Sequence, residues 1–480
     1  MSWKPVYWGT LAVLLASATI ARAQQIPPPR PFVPQTAPPL PEPALPGSGP
    51  GDDVSQPAQD VPQPAPGVAQ PVAPAPAPPL LNPGAGLEAE SLPGELLEDV
   101  SGADVGPRLG PTPVADVRFL MDNLGVGNLF GDTGIRTFGW VEGGYTGAST
   151  GASGILSVQP RQNRYGNEFL LNQIGWAIQK PLQQNGFDWG FNMRYFAGAD
   201  AALGAAKGGI GSPPGNPQFG QDFRDLYLSA HLPVLTDGGV DVKVGRMNTI
   251  IGYNGFLAPY RPFYSSDYQF FYSQDGAFTG FLTDWHVNKR LDIWNGMTLG
   301  ANTFFTLRAN DSYCYIGQAN YWLTDEQKTR FTGSVYAGPH ALFAAPNKAG
   351  TYDTMVELRV QQSWSERFTQ VLQCNMGWDA NTPVGTGSWY GLYLINIYHI
   401  NTQLDGLLRV EWFDDVKGTR TGIDTNYAEV TLGTNWHPVK WLEIRPEIRG
   451  DFAGAEAFGA NGAHTSRSQL TGGVSFLVKF

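Results

Sequence analysis

The chain has 480 residues, of which 15% are charged and 12% aromatic, with 59 Gly and a formal net charge of −11. A soluble domain carries about 25% charged residues, so the deficit argues against an ordinary soluble protein, and nothing is basic enough to suggest nucleic acid. The acidity is uneven: residues 1–133 hold 5 Lys and Arg against 13 Asp and Glu, whereas residues 134–480 hold 26 against 29.

Residues 1–23 read as a secretory signal peptide. Lys4 supplies the positive start, Val6 to Ile20 an apolar core, and Ala21-Arg22-Ala23 a small-residue cleavage site that makes Gln24 the mature N-terminus. Residues 24–113 come next as a disordered, Pro-rich, acidic spacer. Of 39 Pro, 25 fall in residues 24–114. Runs such as Pro74-Ala75-Pro76-Ala77-Pro78-Pro79 suit neither helix nor central strand, and aromatics are too few for a core to offset the ordering entropy. The functional alternative is a peptide that holds the cell wall or a periplasmic partner. Residues 114–133 form a short helical or connecting segment, with Val117, Leu120, Met121 and Leu124 at helical spacing. Such a helix could cap or plug one end of the C-terminal domain.

From Gly134 to Phe480 the pattern changes to a period of two. Phe187, Trp189, Phe191, Met193 and Tyr195 alternate with Asp188, Gly190, Asn192 and Arg194, and Leu442, Ile444, Pro446 and Ile448 alternate with Glu443, Arg445, Glu447 and Arg449. No apolar run of about 18 residues occurs to make a membrane helix. Sixteen strands can be marked, near 136–146, 168–180, 187–198, 222–232, 239–246, 277–286, 291–307, 313–323, 328–337, 351–362, 366–378, 388–399, 402–413, 426–436, 440–452 and 466–480.

Alternation also suits a soluble sandwich, but three features point to a membrane. Many segments exceed the usual 5–6 residues and approach the ~9–11 that a tilted outer-membrane strand needs. Joins after even-numbered strands are short, and those after odd-numbered strands are mostly long, as in outer-membrane barrels; a short join at Arg308 to Ser312 breaks the rule. Lastly, Val474, Phe476, Val478 and Phe480 alternate to a terminal aromatic, a pattern like the signal read by the outer-membrane insertion machinery, with Phe476 and Phe480 as its residues. Trp140, Trp189, Trp364, Trp389, Trp412, Trp436 and Trp441 are expected in aromatic girdles at the two interfaces. The expected fold is therefore all-β, a closed antiparallel transmembrane β-barrel of about 16 strands behind a disordered N-terminal segment.

A barrel of ~16 strands leaves an aqueous lumen. Polar positions of the alternating segments should face it: Arg194, Asp225, Asp241, Lys243, Glu357, Arg359, Arg409, Glu411, Glu443, Arg445, Glu447 and Arg449. Both signs are mixed, so strong ion selectivity is not implied, and many of these charges should simply pair across strands. The join from Arg246 to Gly276 is the longest in the barrel and holds Tyr253, Phe256, Tyr260, Phe263, Tyr264, Tyr268, Phe270, Phe271 and Tyr272. So much apolar surface is costly to leave in water. The loop is expected to fold inward as a constriction, with Arg246, Tyr260, Arg261, Asp267 and Asp275 at the water path; a lid over the outer rim is the alternative.

Cys314 and Cys374 fall three strands apart and read as two small thiols rather than a bridge. No two of the six His have metal-ligand spacing, so they read as isolated wall or loop residues, and neither metal nor cofactor is implied. There is no G-x-S-x-G, and Ser388 with His399 lacks a third member, so no enzyme is expected.

The segment Val244-Gly245-Arg246-Met247-Asn248, then Ile251-Gly252-Tyr253 and Pro262-Phe263-Tyr264-Ser265-Ser266, resembles the β-barrel porin family of bacterial outer-membrane proteins. The final Phe480 and the Pro-rich leader fit as well, and Met247 departs from the pattern, which has an aromatic there. The resemblance covers roughly residues 134–480. It implies a porin-like barrel without a settled substrate and brings no catalytic residues. The expected function is an outer-membrane porin, a water-filled channel for passive diffusion of small polar solutes and ions. The alternatives are a structural or adhesive barrel tied to the cell wall by its tail, or a solute-specific channel. Expected partners are outer-membrane lipids, the insertion machinery, the cell wall through the spacer, and two further copies in a homotrimer. The spacer would lie in the periplasm.

Overall fold

The computed structural model describes residues 133–480, apart from 150–153, 159–161, 205, 207–208, 212–217, 275, 306–312 and 340–351. The expected signal peptide, spacer and nearly all of segment 114–133 lie outside the described residues, as does Asp275.

Sixteen strands form one closed sheet. They are β1 (Arg136–Ala148), β2 (Glu168–Lys180), β3 (Asp188–Gly198), β4 (Gly220–Leu232), β5 (Val240–Asn248), β6 (Ala277–Asn288), β7 (Leu291–Ala301) and β8 (Cys314–Trp322), followed by β9 (Thr329–Pro339), β10 (Tyr352–Ser365), β11 (Phe368–Thr382), β12 (Gly385–Asn401), β13 (Leu404–Val416), β14 (Thr425–Val439), β15 (Leu442–Ala453) and β16 (Ser468–Lys479). Each pairs antiparallel with its neighbours in sequence, and β1 pairs with β16 from Trp140↔Lys479 to Ala148↔Thr471 to close the ring. Closure is what hydrocarbon demands. An unpaired backbone group in lipid costs several kcal/mol, and an open sheet would have two rows of them.

The side chains are sorted opposite to those of a soluble protein. Along β15, Glu443, Arg445, Glu447, Arg449 and Asp451 are buried, while Pro446, Ile448 and Phe452 are exposed. The same inversion puts Leu358 outside and Glu357 and Arg359 inside on β10, and Trp412 outside and Glu411 inside on β13. Charges in the interior and aliphatic and aromatic side chains on the outer surface make a wall built for lipid outside and polar contacts within.

One end of the barrel carries tight joins, at 181–187, 233–239, 289–290, 323–328, 366–367, 402–403 and 440–441. The other carries long ones, at 149–167, 199–219, 249–276, 302–313, 340–351, 417–424 and 454–467. Two joins differ from the sequence expectation. Strand β7 stops at Ala301, where Gly300 and Asn302 adopt positive φ of 107° and 47°, so the next join is long and keeps the rule. The apolar pair Phe304-Phe305 had imitated a continuing strand. The real exception is β11–β12, where only Pro383 and Val384 separate the strands. There Asn381 (φ 60°) and Gly385 (φ 85°) occupy the left-handed conformations that a tight reversal needs.

Two of the seven tryptophans assigned to girdles point the other way. Trp140 and Trp389 are fully buried in the interior, whereas Trp189, Trp364, Trp412 and Trp436 are exposed outside. Each inward indole packs on a bare glycine of the paired neighbouring strand: a Cβ on Gly175 would stand 2.0 Å from the Trp140 ring, and one on Gly377 would stand 2.2 Å from Trp389. A girdle needs only an aromatic near a strand end, so composition could not tell the two faces apart.

The chain terminus completes the seam. Phe480 exchanges backbone hydrogen bonds with Gly139, at 2.6 and 2.9 Å, one step beyond the β1–β16 ladder. Phe476 pairs with Gly143 and is exposed on the outer face. Removal of Phe480 is expected to slow assembly into the outer membrane, since the last closure bonds and the terminal ring go together. Pulse-chase appearance of the heat-modifiable folded form measures this, and a normal rate in the truncated chain would refute it.

Cys314 and Cys374 are not bridged to one another.

Candidate functional site

The 249–276 connection does not cover the long-loop rim. It enters the lumen and is fastened to the wall by hydrogen bonds or ion pairs from β1, β2, β4, β8, β10, β11, β13 and β15. Its backbone N–H groups are received by inward carboxylates and amides. Glu357 on β10 accepts from Gly252, and Gln373 on β11 accepts from Tyr253 at 3.0 Å. Gln173 on β2 accepts from Ala258 at 2.9 Å. Glu447 on β15 accepts from Tyr264 and Ser265 at 3.0 and 3.1 Å, and Glu411 on β13 accepts from Tyr268 and Gln269 at 2.6 and 2.8 Å.

Its carbonyls are taken by inward arginines. Arg445 donates to Ala258 and Arg261, both at 3.0 Å, Arg409 to Ser265 at 2.9 Å, and Arg449 to Ser266 at 2.6 Å. An irregular segment without its own ladder thus finds partners for backbone groups that could not be buried unpaired. Hydrogen bonds to charged groups are worth about 1.5–3 kcal/mol each, roughly twice the neutral kind.

The wall charges are paired around these contacts. On one side, Glu142 of β1 binds both Arg261 and Arg445. Arg261 also reaches Asp200, at 3.1 Å, on a short helix α1 (Ala199–Gly204) in the β3–β4 connection. Asp200 is further held by Asn172 at 3.0 Å and Gln173 at 2.8 Å. Burial pushes its carboxyl up to about 6, against the pull of Arg261. On the other side, Arg409 pairs with Glu429 of β14, and Arg449 with Asp451 at 2.7 Å. Within the loop, Asp267 accepts from Asn254 and from the Phe270 N–H at 2.7 Å.

The loop's aromatics pack on what the wall leaves open. Tyr264 lies on the glycine-paved seam, where a Cβ on Gly144 would come within 2.7 Å of its ring, and its hydroxyl donates to Asn172 at 3.1 Å. The Tyr268 ring stacks with Tyr427 and Phe413 at centroid distances of 5.1 and 6.2 Å, and its hydroxyl donates to Asp451 at 2.8 Å.

All twelve wall residues named from sequence lie on the inner face, and all are buried. Arg194 and Asp225 pair at 3.2 Å, and Arg194 lies 5.3 Å from the Tyr260 ring centre. Arg359 has Glu357 at 3.4 Å, and Glu443 is met by Lys479 at 3.3 Å. The loop residues are turned differently from the expectation. Arg246 belongs to β5, not the loop, and ties Phe223, Thr303 and Asp222 together at 2.5, 2.7 and 2.8 Å. Arg246, Arg261 and Asp267 are buried bracing groups instead of charges presented to a water path. A long charged side chain beside so many wall carboxylates gains more from pairing than from water.

Sequence reasoning did not single out Glu142, Gln173, Asp200, Glu429 or Asp451. Parity was the available signal for the strand residues: Glu429 alternates with Val430, and Asp451 continues the series from Glu443.

Four of the histidines are not isolated. His231 and His286 contact Asp241 at 2.6 and 3.3 Å, and His399 and His437 contact Asp405 at 2.6 and 3.6 Å. These pairs form across neighbouring strands at the short-turn end, so spacing within one strand could not reveal them.

Among solved structures, the barrel is similar to an anion-selective porin from Comamonas acidovorans, with 12% identity, 72% of this chain and 99% of that one covered, and a TM-score of 0.50. It is also similar to Salmonella typhi OmpF in a complex with daunomycin, with 11% identity, 72% and 97% covered, and a TM-score of 0.50. At such identities the likeness speaks for the fold alone. No curated protein matches the sequence. The family described as "Putative beta-barrel porin-2, OmpL-like" matches residues 134–480, the whole barrel, and the chain therefore belongs to it.

Proposed function

We propose that this porin conducts through a bore whose width is set by the inward 249–276 loop. Membership of the porin family makes the protein an outer-membrane channel for passive diffusion of solutes, a class of channels rather than enzymes. The finer reading rests on one observation: the longest described connection runs inside the barrel and is bonded to wall residues on β1, β2, β4, β8, β10, β11, β13 and β15. A segment held at so many points is a rigid constriction, not a swinging lid.

Ion preference should be weak. The strongest interior charges are matched within hydrogen-bond distance, and paired opposite charges cancel at the range over which a permeating ion would feel them. The short-turn end and the N-terminal spacer are read as periplasmic, and the long loops as external. Phe476 and Phe480 are the proposed contact for the insertion machinery, and a homotrimer is the proposed assembly. Single-channel recording of the refolded protein with salts and sugars of graded size tests the channel reading. Discrete steps with a sharp sugar cut-off are expected, and a folded barrel without steps would refute it.

The spacer is proposed to be dispensable for the wall. Deleting residues 24–110 while keeping the leader should leave the yield of heat-modifiable barrel unchanged, because the ladder and the lumen contacts are made between barrel residues. A loss of folded barrel on gels would overturn this.

A further inference from the structure

We infer that the inner wall at the short-turn end holds a divalent transition-metal cation, of the kind represented by Zn²⁺, on Asp241, Asp284 and His286. Asp241 of β5 and Asp284 of β6 are register partners, and His286 lies two residues further along β6 on the same inward face. One ligand atom from each lies within 4.8 Å of the others. His286 Nε2 is 3.3 Å from Asp241 Oδ2 and 3.7 Å from Asp284 Oδ2. Metal–ligand bonds of about 2.0–2.1 Å arranged tetrahedrally place ligand atoms ~3.4 Å apart, so small shifts would seat the ion. Two carboxylates and an imidazole are a zinc-type donor set with a fourth position left for water.

Two further observations point to a ligand. Asp284 is only 5% exposed, yet its Oδ1 has no hydrogen-bond partner among the described residues, and its Oδ2 lies 3.7 Å from His286 Nε2. A buried carboxylate left in this state is costly, and a cation beside it removes the cost. The surroundings are also arranged as outer support for ligands. Asp292 of β7 meets His286 Nδ1 at 3.2 Å, which turns Nε2 toward the two carboxylates. His231 of β4 meets Asp241 Oδ1 at 2.6 Å, which leaves Oδ2 for the site. Carboxylate–histidine–metal relays have this form. The nearby lysine, Lys243, lies over the Trp294 and Tyr227 rings, at 5.1 and 5.6 Å, and its charge is felt by Asp241 and Asp284. Three carboxylates, Asp241, Asp284 and Asp292, thus share one lysine and the imidazoles, and a divalent ion would balance the two remaining negative charges. The His286 and Asp292 side chains keep about a fifth of their surface open, 21% and 20%, which gives an ion a way in.

The competing arrangement has no metal, with a protonated His286 and Lys243 as the counter-charges. Full-length, tag-free protein in detergent micelles, stripped with chelator, separates the two. Titration calorimetry with ZnCl₂ at neutral pH is expected to show one site. Asp284→Asn and His286→Gln should each abolish it, and Asp292→Asn should weaken it by roughly 10–100-fold, the usual effect of removing an outer support. His437→Gln, in the other histidine–aspartate group, should leave it intact. Co²⁺ as a probe should give weak visible bands without thiolate charge transfer, which assigns nitrogen and oxygen donors whether or not every variant folds. No Zn²⁺ uptake by the wild type, uptake unchanged in folded Asp284→Asn, or a thiolate band would each overturn the site.

Discussion

Deletion of Asn254–Gln269 is expected to raise single-channel conductance several-fold while the barrel remains closed. The deleted stretch carries most of the bonds that hold the loop across the lumen, including those to Glu447, Glu411, Arg409 and Arg445. Without it, those four groups would line open water. Arg261→Glu should act in the same direction by a different route. It replaces the guanidinium that joins Glu142 to Asp200 with a third carboxylate among the two. The loop would then be repelled at its midpoint, so higher conductance should accompany any drift toward cation preference. Planar-bilayer recording in symmetrical KCl measures both. Unchanged conductance in a deletion variant that still shifts on heating would place the water path away from the loop.

The second large effect concerns stability. Arg409→Met is expected to cost about 3 kcal/mol, the lower end of the 3–5 found when one partner of a buried ion pair is removed. Arg409 is fully buried, binds Glu429, and donates to the carbonyls of Ser265 and Ser266. The loss stays at the lower end because Arg449, 3.5 Å from Glu429, still offers that carboxylate a cation. Pairing the change with Glu429→Gln should recover part of the loss, since it removes the stranded charge. Urea titration of the folded barrel followed by tryptophan fluorescence reads the difference. A shift under about 1 kcal/mol in the single variant would show that this arginine is not part of what holds the lumen together.

The wall was legible because its grammar is simple. A period of two, a turn at one end and a longer join at the other were enough to mark sixteen strands, and the structure has sixteen. Errors fell where one residue type serves two settings. Phe304 and Phe305 are as much at home in a loop tip as in a strand, so β7 was drawn too long. Trp140 and Trp389 satisfy the composition of a girdle, yet they stand over Gly175 and Gly377 inside. For the lumen, parity put Arg445, Glu447 and Arg449 on the inner face but was silent about their partners. Glu142 meets Arg445 across 303 residues of chain, and the pair becomes neighbours only when β1 closes on β16. The histidines failed for the same reason: His286 and Asp241 are 45 residues apart and adjacent only through strand pairing. The aromatic richness of the 249–276 loop announced that it must pack, but it held no sign that its charged residues would turn to the wall.

The fastening of that loop has a consequence for the order in which the molecule is built. The loop comes directly after β5, but its partners come from both directions and from far away: Gln173 is 85 residues from Ala258, Glu357 is 105 from Gly252, and Glu447 is 183 from Tyr264. Glu447 sits on the fifteenth strand, so the seat for Tyr264 does not exist until almost the whole chain has been laid down. Contacts of such sequence separation are entropically late. Pairs between neighbouring strands, such as Arg409–Glu429, can form as the sheet grows, but the loop's seats on Glu411, Arg445 and Glu447 come only with the last strands, and until then its nine aromatics lack their full shelter. Docking of Tyr264 onto Gly144 and Gly473, one from each of those two strands, then becomes a molecular record that the ring has shut. An assembly stalled before closure would carry this loop outside, exposed to proteases that cannot reach it in the finished barrel.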